Sequence, residues 1–156
     1  MTDPAHRLQS IRIDEGSLAA LSRDVEHERE VAIFDLLEGN VFEPEGAAGG
    51  PYDLAIALVD NRLALDIRGP GFERRHLLSL TPFRGVIKDY FLVCASYFDA
   101  IRNASPAQIE ALDMGRRGLH DEGSERLQER LEGKVRTDRD TARRLFTLIC
   151  ALHRRG

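Results

Sequence analysis

The sequence has no tryptophan, two cysteines, and only two lysines, Lys88 and Lys134, among its 22 basic residues. Cys94 and Cys150 sit inside separate apolar helical patterns and form no C-x-x-C pair, so no disulfide is expected. They read as buried free thiols of a reducing compartment. No H-E-x-x-H occurs, and His6, His27, His76, His120 and His153 never fall at (i, i+4). No metal site is therefore expected. The phosphate-cradling G-x-x-x-x-G-K-[ST], the dinucleotide G-x-G-x-x-G and the nucleophile elbow G-x-S-x-G are all missing, and no cofactor is expected. The longest nearly apolar run, Phe91 to Ala95, is far below the roughly 20 residues of a membrane helix. Met1-Thr2-Asp3-Pro4 lacks the basic and apolar stretches of a secretory leader. The expected setting is the cytoplasm, with no membrane contact.

What is present suits one domain spanning residues 1–156. Hydrophobic residues make up 42% and charged residues 31% of the chain, enough for a core without staples. The net charge of −4 hides an asymmetry. Residues 1–81 carry 8 basic and 15 acidic side chains, net −7, and residues 82–156 carry 14 and 11, net +3. Either the two halves face each other in one fold or the second half meets an anionic partner. Twenty arginines suit phosphate or carboxylate recognition, although GC-rich coding produces the same bias.

Ile11-Arg12-Ile13 alternates as a short strand ending at Gly16. From about Ser22 to Glu38 the pattern is helical, with Val25, Val31, Ile33, Phe34, Leu36 and Leu37 on the apolar side, a solvated Glu26–Glu30 stretch, and a stop at Gly39-Asn40. Residues 44–51 read as a flexible loop. Tyr52 to Val59, Leu63 to Arg68 and Phe72 to Leu80 read as a three-stranded antiparallel meander with a tight turn at Asp60-Asn61, and the N-terminal strand is a candidate fourth member.

Three helices follow. Thr81 is expected to cap the first, with Pro82 inside it. That helix runs to about Asn103 with Phe83, Val86, Ile87, Tyr90, Phe91, Cys94, Tyr97, Phe98 and Ile101 on one wide stripe. Ser105-Pro106-Ala107-Gln108 is a capping box for a helix reaching about Glu132, with or without a kink. Thr137-Asp138-Arg139-Asp140 repeats the form and starts a central helix bearing Leu145, Phe146, Ile149, Cys150 and Leu152. Strands followed by helices define an α+β fold: a small antiparallel sheet packed by an N-terminal helix and three C-terminal helices.

Chemistry concentrates in residues 113–124. Ile109, Leu112, Gly115, Leu119, Gly123 and Leu127 share an apolar stripe, and its two glycines imply a close helix neighbour or a kink. Beside it, Asp113, Arg116, Arg117, His120 and Ser124 share an arc of roughly 100°. Such an arc suits an anion or an acidic partner surface. Arg84 or Arg143 stands ready to assist. For an enzyme acting on a phosphorylated substrate, His120 is the acid/base and Asp113 or Glu122 its orienting partner. The plain alternative is a salt-bridge network docking the helix. A second basic group, Lys134, Arg136, Arg139, Arg143 and Arg144, surrounds the start of the last helix, and Arg154-Arg155 suits its end. Nucleic acid is disfavoured by the acidic balance and the lack of stacking aromatics.

Ser79 to Arg84 with Lys88-Asp89-Tyr90-Phe91, the Asp113 to His120 block with Glu122-Gly123, and Thr141 to Ile149 together resemble a bacterial family of unassigned function, uncharacterised protein family 0262. Val31 to Leu37 fits as well. The resemblance implies a small bacterial cytoplasmic protein and supplies no activity, cofactor or catalytic residue. The residues themselves point first to a non-enzymatic binding or regulatory module for an anionic ligand or acidic partner. The alternatives are the His120 enzyme and a structural homodimer built on the aromatic helix.

Overall fold

The computed structural model of the chain describes residues 5–14 and 23–153. Met1–Pro4, the stop at Gly16, the helix start at Ser22 and the Arg154-Arg155 pair lie outside them. In chain order the elements are β1 (Leu8–Ile13), α1 (Arg23–Glu38), β2 (Phe42–Pro44), β3 (Tyr52–Val59), β4 (Arg62–Gly69), β5 (Phe72–Ser79), a 3-10 turn (Thr81–Phe83), α2 (Arg84–Asn103), α3 (Pro106–Leu131), β6 (Val135–Thr137) and α4 (Arg139–His153).

The main sheet has the order β1-β3-β4-β5. Its last three strands are the expected antiparallel meander. At the first turn only Asp60 takes a positive φ, 56°. β1 joins along β3 in parallel, with Ile11 opposite Leu54 and Ile13 opposite Ile56. A parallel partner requires a crossover, and α1 lies within it. Asn40 pins the two ends together: its Nδ2 donates to Leu36 O at 2.9 Å and its Oδ1 accepts from Leu8 N at 2.7 Å.

β2 and β6 pair with each other as a separate antiparallel ribbon. Three-residue strands are too short to show an alternation, so the sequence reads the first as the edge of a loop and the second as a cap. Thr137 therefore sits in β6, and Asp138 caps α4 instead, its Oδ1 accepting the Thr141 N–H at 2.8 Å. Thr81 is likewise not a cap. The 3-10 turn precedes α2 without a side-chain cap, and the Thr81 hydroxyl accepts from Asn61 Nδ2 at 2.7 Å. The Ser105–Gln108 capping box forms as expected, and α3 is continuous to Leu131, followed by Gly133 at φ 77°.

Helices cover one face of the sheet. Leu54, Ile56, Leu63, Leu65 and Leu78 face Leu127 and Leu131 of α3 and Leu145 and Ile149 of α4 around a small apolar void. The other face carries Arg75–Asp66 and Arg68–Glu73 ion pairs at 3.3 and 3.4 Å. α4 is buried nearly all round, which makes it the central helix. In α1 the buried stripe is Val25, Arg29, Ala32 and Leu36, while Val31 and Phe34 face outwards. Arg29 was expected in a solvated stretch. Its Nε and Nη2 instead reach Ala151 O and Leu152 O at 3.5 Å, satisfying carbonyls at the end of α4. The α2 stripe is covered only in part: Phe83, Val86 and Ile87 are buried, Tyr90, Phe91, Cys94 and Tyr97 are half-buried, and Phe98 and Ile101 are exposed. Cys94 and Cys150 are free thiols, the first half-buried and the second buried.

Candidate functional site

α3 carries the arc because its 3.6-residue period stacks positions 113, 116, 117, 120 and 124 on one flank. That flank looks into the junction of three helices, except at Arg117. At its N-terminal end, Asp113 accepts from both arginines: Arg116 Nη2 lies 2.5 Å from Oδ1 and Arg117 Nη2 lies 2.9 Å from Oδ2. The Arg116 guanidinium sits 5.2 Å over the Tyr97 ring of α2. Arg117 points outwards with 70% of its side chain exposed. The hydrogen bond from Arg116 holds the Asp113 carboxyl below its ordinary range, and both arginine charges add to this against the opposing effect of burial.

At the C-terminal end, the His120 ring packs between Tyr90 and Phe146, with centroids at 5.6 and 5.3 Å. Its Nε2 is 2.7 Å from Thr147 Oγ1. Thr147 Oγ1 also lies 3.1 Å from Arg143 O, one turn back on α4. The other ring nitrogen, Nδ1, is 3.5 Å from Ser124 Oγ. Ser124, in turn, donates to its own helix at His120 O, 2.7 Å away. Burial first, then the Arg143 and Arg116 charges, hold the imidazole below its ordinary range, and Asp121 opposes them. These effects favour the neutral imidazole. Burial and contact with Cys94 push the Tyr90 phenol up to about 12.

The candidate residues thus divide. Asp113, Arg116 and Arg117 form one ionic cluster, and His120 and Ser124 form a hydrogen-bonded group with Thr147. Arg143 pairs with Asp121 beside it. Arg84 is elsewhere, donating to Asn61 Oδ1 at 2.5 Å by the β3–β4 turn. The second basic group does not converge either: Arg136 pairs with Glu43 at 2.7 Å, and Arg144 donates to Gly39 O at 2.6 Å. Sequence reasoning missed Tyr90, Tyr97 and Thr147 as members of the arc's surroundings. Both tyrosines look like core on the α2 stripe, and Thr147 breaks an otherwise apolar α4 face, which is the signal that was available. Among the described residues no three His, Cys, Asp or Glu side chains come together as metal ligands. No described helix is long and apolar enough to cross a membrane.

Fold and site together define a mixed α+β protein in which a polar hub ties three helices beside a mostly antiparallel sheet. The chain belongs to the Uncharacterised protein family (UPF0262), whose profile matches residues 5–155. It is similar to UPF0262 proteins of Phenylobacterium zucineum, 73% identical over 151 residues, and Caulobacter vibrioides, 74% identical over 151 residues; each alignment covers 97% of this chain and 95% of the relative. A UPF0262 protein of Xanthobacter autotrophicus is 61% identical over 156 residues, covering 98% of this chain and 95% of its own. No solved structure matches the chain.

Proposed function

We propose that the protein is a non-enzymatic binding module that meets an acidic protein surface through Arg117, with Arg116 behind it. One observation carries this reading. Two guanidinium groups share the single Asp113 carboxylate, so the cluster keeps one uncompensated positive charge, and Arg117 presents it with 70% of its side chain exposed. The groove of about 560 Å³ lies elsewhere on the surface, and the one of about 320 Å³ borders His120 through Tyr90 and Thr147 but has no arginine in its lining, which favours a partner surface over an enclosed small anion for the arginine pair. Both ring nitrogens of His120 face hydroxyls of the chain, Nε2 that of Thr147 and Nδ1 that of Ser124, which disfavours it as an acid/base. The free thiols support a cytoplasmic setting.

The test is titration with a poly-glutamate peptide and, separately, with inorganic phosphate at two salt concentrations. Arg117→Ala is expected to weaken peptide binding about two- to fivefold, the worth of one exposed charge pair, with an unchanged melting temperature. Absence of binding to either probe, together with unchanged cellular partners for Arg117→Ala, refutes the reading. A second reading is a homo-oligomer seated on the outer half of α2, where Leu92, Phe98 and Ile101 are 59%, 64% and 52% exposed. Sedimentation as a strict monomer removes it.

A further inference from the structure

The last turns of α3 and the strand β6 enclose a groove of about 560 Å³ lined by Glu45, Glu125, Gln128, Glu129, Glu132 and Thr137 among others. Spacing explains its charge. Positions 125, 129 and 132 recur at i, i+4 and i+7 and share one helix face, and Glu45 follows directly after β2. None of these four glutamates takes part in an ion pair among the described residues. Lys134 and Arg136 are the cations in the wall, and Arg136 is already held by Glu43 at 2.7 Å. The groove is therefore acidic in excess.

Its floor is a strand edge. Among the described residues β6 pairs with β2 alone, on one side. Glu45 N donates to Lys134 O at 2.8 Å, which fixes the alternation of the ribbon. Glu43–Arg136 is the next bonded pair, and Pro44, lacking an N–H, falls opposite Val135 where none is needed. The backbone groups of Val135 and Thr137 therefore turn away from β2, towards α3. There Gln128 Nε2 donates to Thr137 O at 3.1 Å, a side chain occupying one rung of a missing strand. The independent observation is Thr137 itself. It is 7% exposed, lies in the groove wall, and its Oγ1 has no hydrogen-bond partner among the described residues. A buried hydroxyl left so is uncommon and calls for a partner, a water or a ligand group.

We infer that this groove takes an extended basic peptide segment of a protein partner. The segment adds to β6 as a further strand, with its lysine or arginine side chains on Glu125, Glu129 and Glu132. Main-chain bonds to Val135 and Thr137 set its register, and the Thr137 hydroxyl gains a partner.

The probe is a short synthetic peptide alternating lysine and valine, titrated into the isotope-labelled full chain. The largest amide shifts are expected at Val135 and Thr137, with slowed exchange of the Val135 N–H. The Glu125→Gln/Glu129→Gln double variant, both positions being exposed, is expected to keep the fold by circular dichroism and to weaken binding about tenfold, as for lost close charge pairs at an interface. Arg117→Ala is expected to leave it unchanged, which separates this site from the arginine cluster. No saturable binding, undiminished binding to the double variant, equal binding of spermidine, or equal binding of a peptide N-methylated at alternate residues would each overturn the inference.

Discussion

Replacing Gly123 by alanine tests the packing on which the α3 hub rests. A Cβ at Gly123 would fall within 3.0 Å of three carbons of the Phe146 ring. Phe146 is fully buried, and His120 and Tyr90 border its ring at 5.3 and 6.3 Å. The ring has no free direction in which to turn. Overpacking a tight core costs about 1–3 kcal/mol, and this site belongs at the upper end. Alanine returns about 1 kcal/mol of helix propensity over glycine, so a net loss of about 2 kcal/mol is expected. Gly118 sits on the same helix, with nothing within 4 Å of an added Cβ. There alanine keeps the propensity gain and stabilises by about 1 kcal/mol. With a urea slope of about 2–3 kcal/mol/M, the two midpoints should separate by about 1 M, in opposite directions from the parent. The assay is urea unfolding followed by circular dichroism, with a second cycle in which Phe146→Leu makes room. If Gly123→Ala stabilises as Gly118→Ala does, or if its effect simply adds to that of Phe146→Leu, the close approach is not real and the glycine has another cause.

Three other outcomes follow from the same contacts. Because burial holds the folded His120 imidazole below its unfolded value of 6.5, its contribution is complete above that pH and is lost as pH falls through the folded value. His120→Gln is therefore expected to flatten the decline of the urea midpoint between about pH 7 and 5. Part of the slope persists from His76, which burial and its Arg74 and Lys134 neighbours lower as well; an unchanged slope would contradict the burial of His120. Arg29→Met strips the α4 carbonyls at Ala151 and Leu152 of their donor and should lower stability by about 1–3 kcal/mol, measured by the same unfolding; a neutral result places Arg29 in solvent. Asp113→Ala frees both guanidinium groups, so poly-glutamate affinity should rise while the melting temperature falls; a loss of affinity would mean that the carboxylate, not the arginines, contacts the partner.

Much of the architecture is legible in the residues because it obeys local rules. Leu63, Leu65 and Ile67 of β4 are buried as their alternation implies, although Ala64 on the other face is buried too, and the Ser105 capping box forms. The apolar set of α4 also holds, every member of it buried. What stays hidden depends on long-range contact. Phe42–Pro44 and Val135–Thr137 become strands only because they meet each other across more than ninety residues of chain, and this meeting moves the α4 cap from Thr137 to Asp138. Arg29 looks like surface until the end of α4 arrives over it. The arc lies midway between these cases. Helical spacing brings Asp113, Arg116, Arg117, His120 and Ser124 to one flank, yet spacing does not say that Asp113 will take both arginines or that Thr147 will hold the imidazole.

Length explains why the arc lies where it does. α3 has 26 residues, about 39 Å at 1.5 Å per residue, whereas the eight-residue strands β3, β4 and β5 span about 27 Å. The buried residues of α3, Gly123, Ser124, Leu127 and Leu131, all lie in its C-terminal third. The N-terminal half extends past the sheet with α2 as its companion, and beyond Ile87 only Ala100 of α2 is fully buried. Two helices without a sheet beneath them cannot bury a full apolar stripe, so polar and aromatic contacts take over: Arg116 on Tyr97, the Asp113 cluster, His120 on Thr147. A structural duty therefore accounts for Arg116, His120 and Ser124 without a ligand. It does not account for Arg117, whose removal would leave Asp113 paired with Arg116 and the helix contacts whole. The side chain that the fold does not need is the one on which the binding proposal stands.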